Sequence, residues 1–183
     1  ATVCDEVYRT LMKMRWQPSL KIIPHYESDV LYIDALVNSI NKKINEISWK
    51  PDLIIASYHG IPKKYFDKGD PYHCYCHKTT RLISEKFSSV KIKTTFQSRF
   101  GPQEWLQPYT DKTLENLPKD GVKNVLTICP GFASDCVETL EEIQIQAKES
   151  FLNSGGENFD MVPCLNDNSD HIILLKSLIE RNI

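Results

Sequence analysis

Apolar residues follow two alternating patterns along this chain. Five short runs are predicted as strands, at residues 20–23, 52–57, 91–97, 122–129 and 160–164, and LIIA (53–56) is continuously apolar, as is typical of a strand buried on both faces. Apolar residues recur at helical spacing in residues 3–16, 32–47, 77–87, 110–117, 135–153 and 169–181. Because strands alternate with helices, the last four runs predict an α/β domain with a four-stranded, mainly parallel sheet that helices cover on both faces.

The composition narrows the classes of function. Of the 183 residues, 41% are hydrophobic and 25% charged, as in an ordinary globular protein. A net charge of −2 and a pI near 6.2 argue against a general nucleic-acid binder, which is normally basic. No apolar run approaches the roughly 20 residues that span a bilayer, and no signal peptide is visible. The six cysteines are scattered, so we expect reduced thiols.

An acidic segment follows the strand predicted at residues 122–129. Asp135, Glu138 and Glu142 fall at helical spacing just beyond the strand, where open α/β sheets bind ligands. Three carboxylates at this place would attract metal ions or protons. The alternative is an ordinary helix start, with Ser134 or Asp135 as the N-cap and acids at the positive end of the helix dipole.

Helical spacing also predicts which neighbours share the acidic face. Glu138 and Glu142 are four residues apart and lie on one face, which Gln146 continues, while Glu141 points elsewhere.

His59 follows another buried strand, predicted at residues 52–57. Two adjacent strand ends would bring His59 and Glu138 to opposite sides of one cleft. A neutral histidine accepts a proton or binds a borderline metal, and a carboxylate can do either. The alternative is a structural histidine that caps the turn by bonding a backbone carbonyl.

Two further segments carry side chains with potential chemistry. The run HCYCH at residues 73–77 has the atoms for a soft metal but lacks the usual Cys-x2-Cys spacing, so a structural role or a surface loop is expected. Beyond the strand at residues 91–97, Arg99, Phe100 and Trp105 either line a pocket for an aromatic ligand or form a packed corner.

Five motifs occur in the order found in the ferrochelatase family, and the resemblance covers essentially the whole chain. They are SYHGIP (57–62), GDPY (69–72), FQSRFGP (96–102), WLQPYTD (105–111) and SDCVETL (134–140). The chain resembles the C-terminal half of the proteobacterial type. The resemblance implies insertion of ferrous iron into protoporphyrin IX to form protohaem, the final step of haem biosynthesis.

The resemblance also implies a domain arrangement. The family has two similar Rossmann-like α/β domains with the porphyrin cleft between them, and this chain resembles the second, a three-layer domain of the chelatase fold. Residues 1–18 then form the helix leading in from a missing N-terminal domain, and residues 19–183 form the C-terminal domain. The chain opens on Ala1 without a methionine, which also suggests a fragment, so we expect it to be inactive alone.

The site residues implied by the resemblance match the candidates found above. His59 corresponds to the active-site histidine, a proton acceptor or metal ligand, and Glu138 to the glutamate opposite it. With Glu142, the next member of an acidic ridge, these two make the expected metal-binding set. Ser98, Phe100 and Trp105 correspond to the porphyrin pocket.

This sequence departs from the family pattern at two positions. Gln146 stands where the ridge often has a third acid, and Cys136 stands where many members have histidine.

The same resemblance bears on cofactors, location and alternatives. No cofactor is expected beyond the substrate Fe²⁺, and a 2Fe–2S cluster is the less favoured alternative because the cysteines do not map securely onto cluster ligands. A cytoplasmic location is expected, and the resemblance also allows a peripheral contact with the inner membrane. Alternative functions are a chelatase for coproporphyrin III or another metal, or a non-catalytic metal- or tetrapyrrole-binding domain of the same fold.

Overall fold

The computed structural model describes residues 2–87 and 89–183, so Ala1, where the sequence opens, lies outside the described residues. Its sheet consists of β1 (Leu53–His59), β2 (Lys91–Gln97), β3 (Asn124–Ile128) and β4 (Asn158–Met161). The strands lie in the order β2-β1-β3-β4, and every neighbouring pair is parallel. The predicted four-stranded parallel sheet is confirmed.

Helices precede, connect and follow the strands. They are α1 (Thr2–Leu11), α2 (Val30–Glu46), α3 (Lys63–Asp67), α4 (Tyr72–Lys86), α5 (Thr110–Asn116), α6 (Val137–Leu140), α7 (Lys148–Asn153) and α8 (Ser169–Glu180). A 3₁₀-helix (Leu117–Asp120) continues α5, and a π-helix (Glu142–Ala147) lies between α6 and α7. None of the helices in the described ranges is long and apolar enough to cross a membrane.

Alternate residues of the strands build two hydrophobic cores, one on each face of the sheet. Ile54 packs with α2 and α4, whereas its neighbour Ile55 packs with α5, the π-helix and α7. Both isoleucines are fully buried, and each such side chain contributes about 1.5–3 kcal/mol relative to an exposed one. The three-layer arrangement expected from the unbroken apolar strands is therefore present.

The register brings the carboxyl ends of the central strands to one edge of the sheet. His59, the last residue of β1, lies opposite Gln97, the last residue of β2. On the other side of β1, Ala56 lies opposite Ile128, the last residue of β3. Segments that follow β1, β2 and β3 therefore emerge side by side, which is where an open α/β sheet binds its ligands.

Some predicted elements differ from those observed. The strand expected at residues 20–23 is wrong: the segment is irregular, its apolar side chains are partly exposed, and it pairs with no strand in the described ranges. Helix α1 ends at Leu11, before the predicted residue 16. Helix α4 begins five residues earlier than predicted, with Pro71 as its N-cap, and the Asp70 carboxylate accepts a hydrogen bond from the Tyr72 amide (2.9 Å) at its first turn.

The single helix predicted at residues 135–153 is interrupted. The amide of Gln146 donates to the carbonyl of Glu141 (2.9 Å), a bond across five residues that widens the helix by one residue per turn. Regular helical spacing therefore does not hold across the acidic segment. This interruption decides which acidic side chains face one another.

Candidate active site at the carboxyl ends of the strands

His59 is half-buried at the end of β1 and has a fixed ring orientation. Its Nδ1 lies 2.6 Å from the carbonyl oxygen of Gly60. Because a carbonyl only accepts, Nδ1 carries the proton, and in the neutral ring Nε2 holds the free lone pair. The Tyr72 hydroxyl also donates to the His59 carbonyl (2.9 Å). The backbone-bonding role considered from the sequence is present, and it leaves Nε2 available for chemistry.

Glu138 lies near the start of α6, across from His59. A hydrogen bond from the Cys136 thiol, its own backbone amide and the charge of His59 together hold the pKa of Glu138 below its usual value. The carboxylate is therefore ionised at neutral pH. Because β1 and β3 are neighbours, the segments after them place His59 and Glu138 at the same edge of the sheet, and their joint action across one cleft stays a prediction.

Asp135 supports the loops instead of capping the helix. The N-cap of α6 is Cys136, whose amide bonds the Thr139 hydroxyl (3.0 Å), so the predicted cap at Ser134 or Asp135 is wrong. The Asp135 carboxylate accepts from the Cys164 amide (3.1 Å) and from the side chain of Asn166 (2.8 Å). It therefore ties the segment after β3 to the loop after β4.

The π-helix rearranges the acidic face. The side chain of Gln146 donates to the Glu141 carboxylate (3.0 Å), because residues five apart come together on a π-helix. Glu141 lines the same cavity as Glu138 and Glu142, so the prediction that it points elsewhere is wrong. Glu141 therefore adds to the acidic face that Gln146 was expected to shorten.

Glu142 is bonded to the end of β2. One carboxylate oxygen accepts from the Ser98 amide (2.7 Å), and the other accepts from the Ser98 hydroxyl. Ser98 adopts a positive φ of 61°, a conformation that non-glycine residues rarely take, and this aims its amide and hydroxyl at one carboxylate. A metal bound by Glu142 would share the carboxylate oxygens with these bonds, because each oxygen carries two lone pairs.

Gln97 is a buried site residue that the sequence analysis did not single out. Its amide nitrogen donates to the carbonyl of Glu138 (2.6 Å), and its amide oxygen accepts from Ser57 (2.8 Å). The side chain thus connects β1, β2 and α6 at the strand ends. The only available signal was a polar residue that follows Phe96 at the end of a predicted strand.

These elements surround a cavity of about 560 Å³, the acidic cavity, which lies between the end of β2, the start of α5 and the π-helix. Its lining includes Gln97, Ser98, Arg99, Phe100, Asp111, Glu138, Glu141, Glu142 and Gln146. Arg99 and Asp111 form a two-point ion pair on this lining (3.0 and 2.7 Å), which neutralises the guanidinium charge. The Arg99–Asp111 pair is a second feature that sequence patterns did not reveal.

Phe100 and Trp105 form an aromatic corner beside the cavity. Phe100 is 67% exposed and lines the cavity, while Trp105 is half-buried and does not. The Trp105 indole donates to the Phe100 carbonyl (2.9 Å), and the two rings meet edge to face. Gly60, next to His59, packs against Trp105, since a Cβ there would lie 3.3 Å from the indole.

The structure thus brings Ser98, Phe100, Glu138 and Glu142 onto one cavity, with His59 and Trp105 outside its lining. Within residues 2–87 and 89–183, no group of three or more histidine, cysteine, aspartate or glutamate side chains is arranged to hold a metal ion. The metal-binding set of His59, Glu138 and Glu142 stays a prediction.

Comparison with known proteins identifies a protein family that this chain matches. The family model described as Ferrochelatase matches residues 1–183. Ferrochelatases of Allorhizobium ampelinum (strain S4) and Rhizobium meliloti (strain 1021) are each 55% identical to the whole chain, which covers 54% and 55% of them. The ferrochelatase of Brucella anthropi is 49% identical, with 53% covered. The chain therefore spans about half the length of these curated relatives.

A solved structure supports the fold independently of sequence. DR2241 from Deinococcus radiodurans, described as a multi-domain protein with structural similarity to chelatases, matches 81% of this chain and 28% of its own, with a TM-score of 0.54 at 10% identity. At that identity the likeness concerns the fold alone. The family follows from the sequence matches: the chain belongs to the ferrochelatase family.

Proposed function

We propose that the full-length protein containing this chain inserts ferrous iron into protoporphyrin IX to form protohaem. The family supplies the reaction class, and one observation carries the assignment to this site. His59 presents a free Nε2 at the end of β1, and Glu138 lies beyond the end of the neighbouring β3, near enough for His59 to act on its pKa.

The reaction needs both residue types. Metalation removes two pyrrole protons and strips water from the metal ion, so it requires proton acceptors and oxygen or nitrogen donors. His59 accepts a proton at Nε2 because Nδ1 is held by Gly60. Glu138, whose pKa is held low by the Cys136 thiol, stays anionic, so it attracts the cation or receives a proton passed from the macrocycle.

The acidic cavity supports a route from the site to solvent. Glu141 and Glu142 continue from Glu138 along the π-helix and line the same cavity. Like charges so close together attract cations and raise their local concentration. The exposed Phe100 and the adjoining Trp105 offer aromatic surface for a porphyrin, and Ser98 offers a hydroxyl at the same corner.

A missing domain is the proposed partner on the other side of the cleft. The segment before α2 exposes many large apolar side chains: Val3, Val7, Tyr8, Met12, Met14, Trp16, Leu20, Ile22 and Ile23. The N-terminal half of the protein would cover such a surface, and this supports a lead-in segment whose helix, α1 (Thr2–Leu11), is shorter than the predicted helix of residues 1–18. We expect the isolated chain to have little or no activity.

Two expectations that follow from the family resemblance stay predictions. One is a cytoplasmic location with a peripheral inner-membrane contact, and the other is the absence of a 2Fe–2S cluster. An ultraviolet-visible spectrum of fresh protein checks the cluster, because a 2Fe–2S centre colours the sample.

The test is an insertion assay on full-length protein with anaerobic Fe²⁺ and protoporphyrin IX. His59→Ala is expected to lower turnover by about 10²–10⁴-fold, the usual contribution of general acid–base catalysis, while porphyrin still binds. Glu138→Gln should lower turnover similarly. The matched controls are His25→Ala and Glu149→Gln, both at exposed positions, and they should keep normal turnover.

The outcomes separate the alternatives. Near-normal turnover in His59→Ala removes this residue from the mechanism. Binding of protoporphyrin without any insertion by the unsubstituted protein indicates a non-catalytic tetrapyrrole-binding domain. Preference for coproporphyrin III, or for a metal other than iron, corrects the substrate while keeping the reaction class.

A further inference from the structure

The HCYCH run lies on the first two turns of α4, where the helix separates its cysteines and brings its histidines together. His73 and His77 are four residues apart, and their ring centroids are 4.4 Å from each other. Cys76 is buried in the core between α4 and the sheet, whereas Cys74 is exposed. The cysteines therefore cannot serve one ion together, and the two imidazoles remain as the candidate ligands.

Aromatic rings hold the two imidazoles in place. The His73 ring stacks on Phe96 at 5.6 Å and contacts Phe66 at 4.9 Å, and His77 lies 6.2 Å from Phe96. Among residues 2–87 and 89–183, no hydrogen bond or ion pair engages the ring nitrogens of either histidine. The rings are thus positioned by carbon contacts, and their nitrogens are left for another partner.

This pair is separate from the candidate active site. Phe96 and Gln97 are successive residues of β2, so their side chains point to opposite faces of the sheet. Gln97 bonds to Glu138 on one face, whereas Phe96 belongs to the core with α4 on the other and also reaches the lining of the acidic cavity at the strand end. His73 and His77 are not part of that lining, so a ligand held by them would lie outside the acidic cavity, on the α4 side of the sheet.

We propose that His73 and His77 bind one divalent transition-metal ion of the class that prefers imidazole, such as Ni²⁺, Cu²⁺ or Zn²⁺. Two imidazoles that share an ion at about 2.0–2.1 Å have ring centroids about 4.5–5 Å apart, close to the separation observed here. Histidines spaced i and i+4 on a helix are an established pair of metal ligands. This site goes beyond the proposed iron insertion and does not depend on it.

The surroundings predict a weak, exchangeable site. Only two protein ligands are present, so water must fill the remaining positions, as in open metal sites. The N-terminal end of α4 carries the positive end of the helix dipole, which opposes a cation. We therefore expect rapid exchange of the ion, in contrast to a structural metal that is required for folding.

The test is a calorimetric titration of reduced full-length protein with Ni²⁺ as the probe. His77→Gln, the double variant His73→Gln/His77→Gln and the control His25→Gln are compared with the unsubstituted protein. We expect the His77 and double variants each to lose one bound Ni²⁺ per chain and the control to lose none. His59→Ala should keep this ion, which distinguishes the pair from the active site.

The following outcomes contradict metal binding by His73 and His77. Unchanged Ni²⁺ stoichiometry in the double variant, or no Ni²⁺ bound outside the His59 site in the unsubstituted protein, means that the rings only pack against Phe96. His77 is exposed, so His77→Gln should fold even if changes at the stacked His73 do not, and its thermal unfolding curve without metal checks this. The proposal is also overturned if the copper electron paramagnetic resonance spectrum shows no nitrogen ligand that is lost when His77 is replaced.

Discussion

His59 and Gln97 end neighbouring strands in direct register, and the side chain of Gln97 then bonds the carbonyl of Glu138. The amide of Gly60, next to His59, also donates to the Gln97 carbonyl (2.8 Å). One buried glutamine residue therefore connects the backbone beside the histidine to the backbone of the glutamate on the opposite segment. We interpret Gln97 as a positioning residue for the pair.

Replacement of Gln97 by leucine should loosen this connection. The change leaves the Glu138 carbonyl without this partner, while the Ser57 hydroxyl keeps its hydrogen bond with Thr110 (2.8 Å), and an unpaired buried polar group costs about 1–3 kcal/mol. We expect the free energy of unfolding from urea titration to fall by about that amount. In the full-length protein, kcat should fall more than KM rises. Gln103→Leu, an exposed matched control, should change neither quantity.

The backbone of Ser98 offers a second prediction. Its φ of 61° is less unfavourable for a residue without a branched Cβ. The free energy of unfolding of Ser98→Val should therefore be about 1–3 kcal/mol lower than that of Ser98→Ala. Both variants lose the hydroxyl bond to Glu142, which makes alanine the matched control. Equal urea midpoints for valine and alanine would show that the positive φ is not required in solution.

Asp135 predicts how stability depends on pH. Burial acts to raise the pKa of this carboxyl, but hydrogen bonds from Asn166, Cys164 and Thr139 outweigh it and hold the pKa below its ordinary value of 3.8. A group whose pKa is depressed on folding stabilises the protein above its unfolded pKa, and that contribution is lost as the pH falls through the folded pKa.

We therefore expect the difference in the free energy of unfolding between the unsubstituted protein and Asp135→Asn to be constant near neutral pH. This difference should shrink as the pH falls below 3.8. Urea titrations over a series of pH values measure it. Asp167→Asn, which removes one carboxylate at an exposed position, serves as the matched control. A difference for Asp135→Asn that grew with acid would contradict the assignment.

Gly60 tests the close approach beside His59. A Cβ at this position would lie 2.9 Å from the Gln97 carbonyl oxygen and 3.3 Å from the Trp105 ring, so something must shift. Gly60→Ala should lower the free energy of unfolding by about 1–3 kcal/mol, as overpacking usually does, and should alter tryptophan fluorescence. Gly131→Ala meets only ordinary contacts from 3.4 Å outward and is the matched control.

The sequence by itself determined the fold class and the main chemical candidates. The apolar runs in β1 and β3 require cover on both faces, and the alternation of strands with helices leaves a parallel sheet as the solution. The sequence also showed that His59 and Glu138 follow apolar strands, because the end of a strand can be located from the local pattern without tertiary information.

Only the tertiary structure decided which of these side chains act together. Glu142 bonds Ser98, Glu141 joins the acidic cavity through the π-helix, and Gln97 reaches Glu138 across 41 residues of sequence. Residues 20–23 have strand-type side chains but form no strand, since a strand exists only where a neighbour supplies hydrogen bonds. The local pattern of apolar and polar residues predicts which side chains are buried and which are exposed. Hydrogen-bond partners, in contrast, depend on which distant segments of the chain come together in the fold.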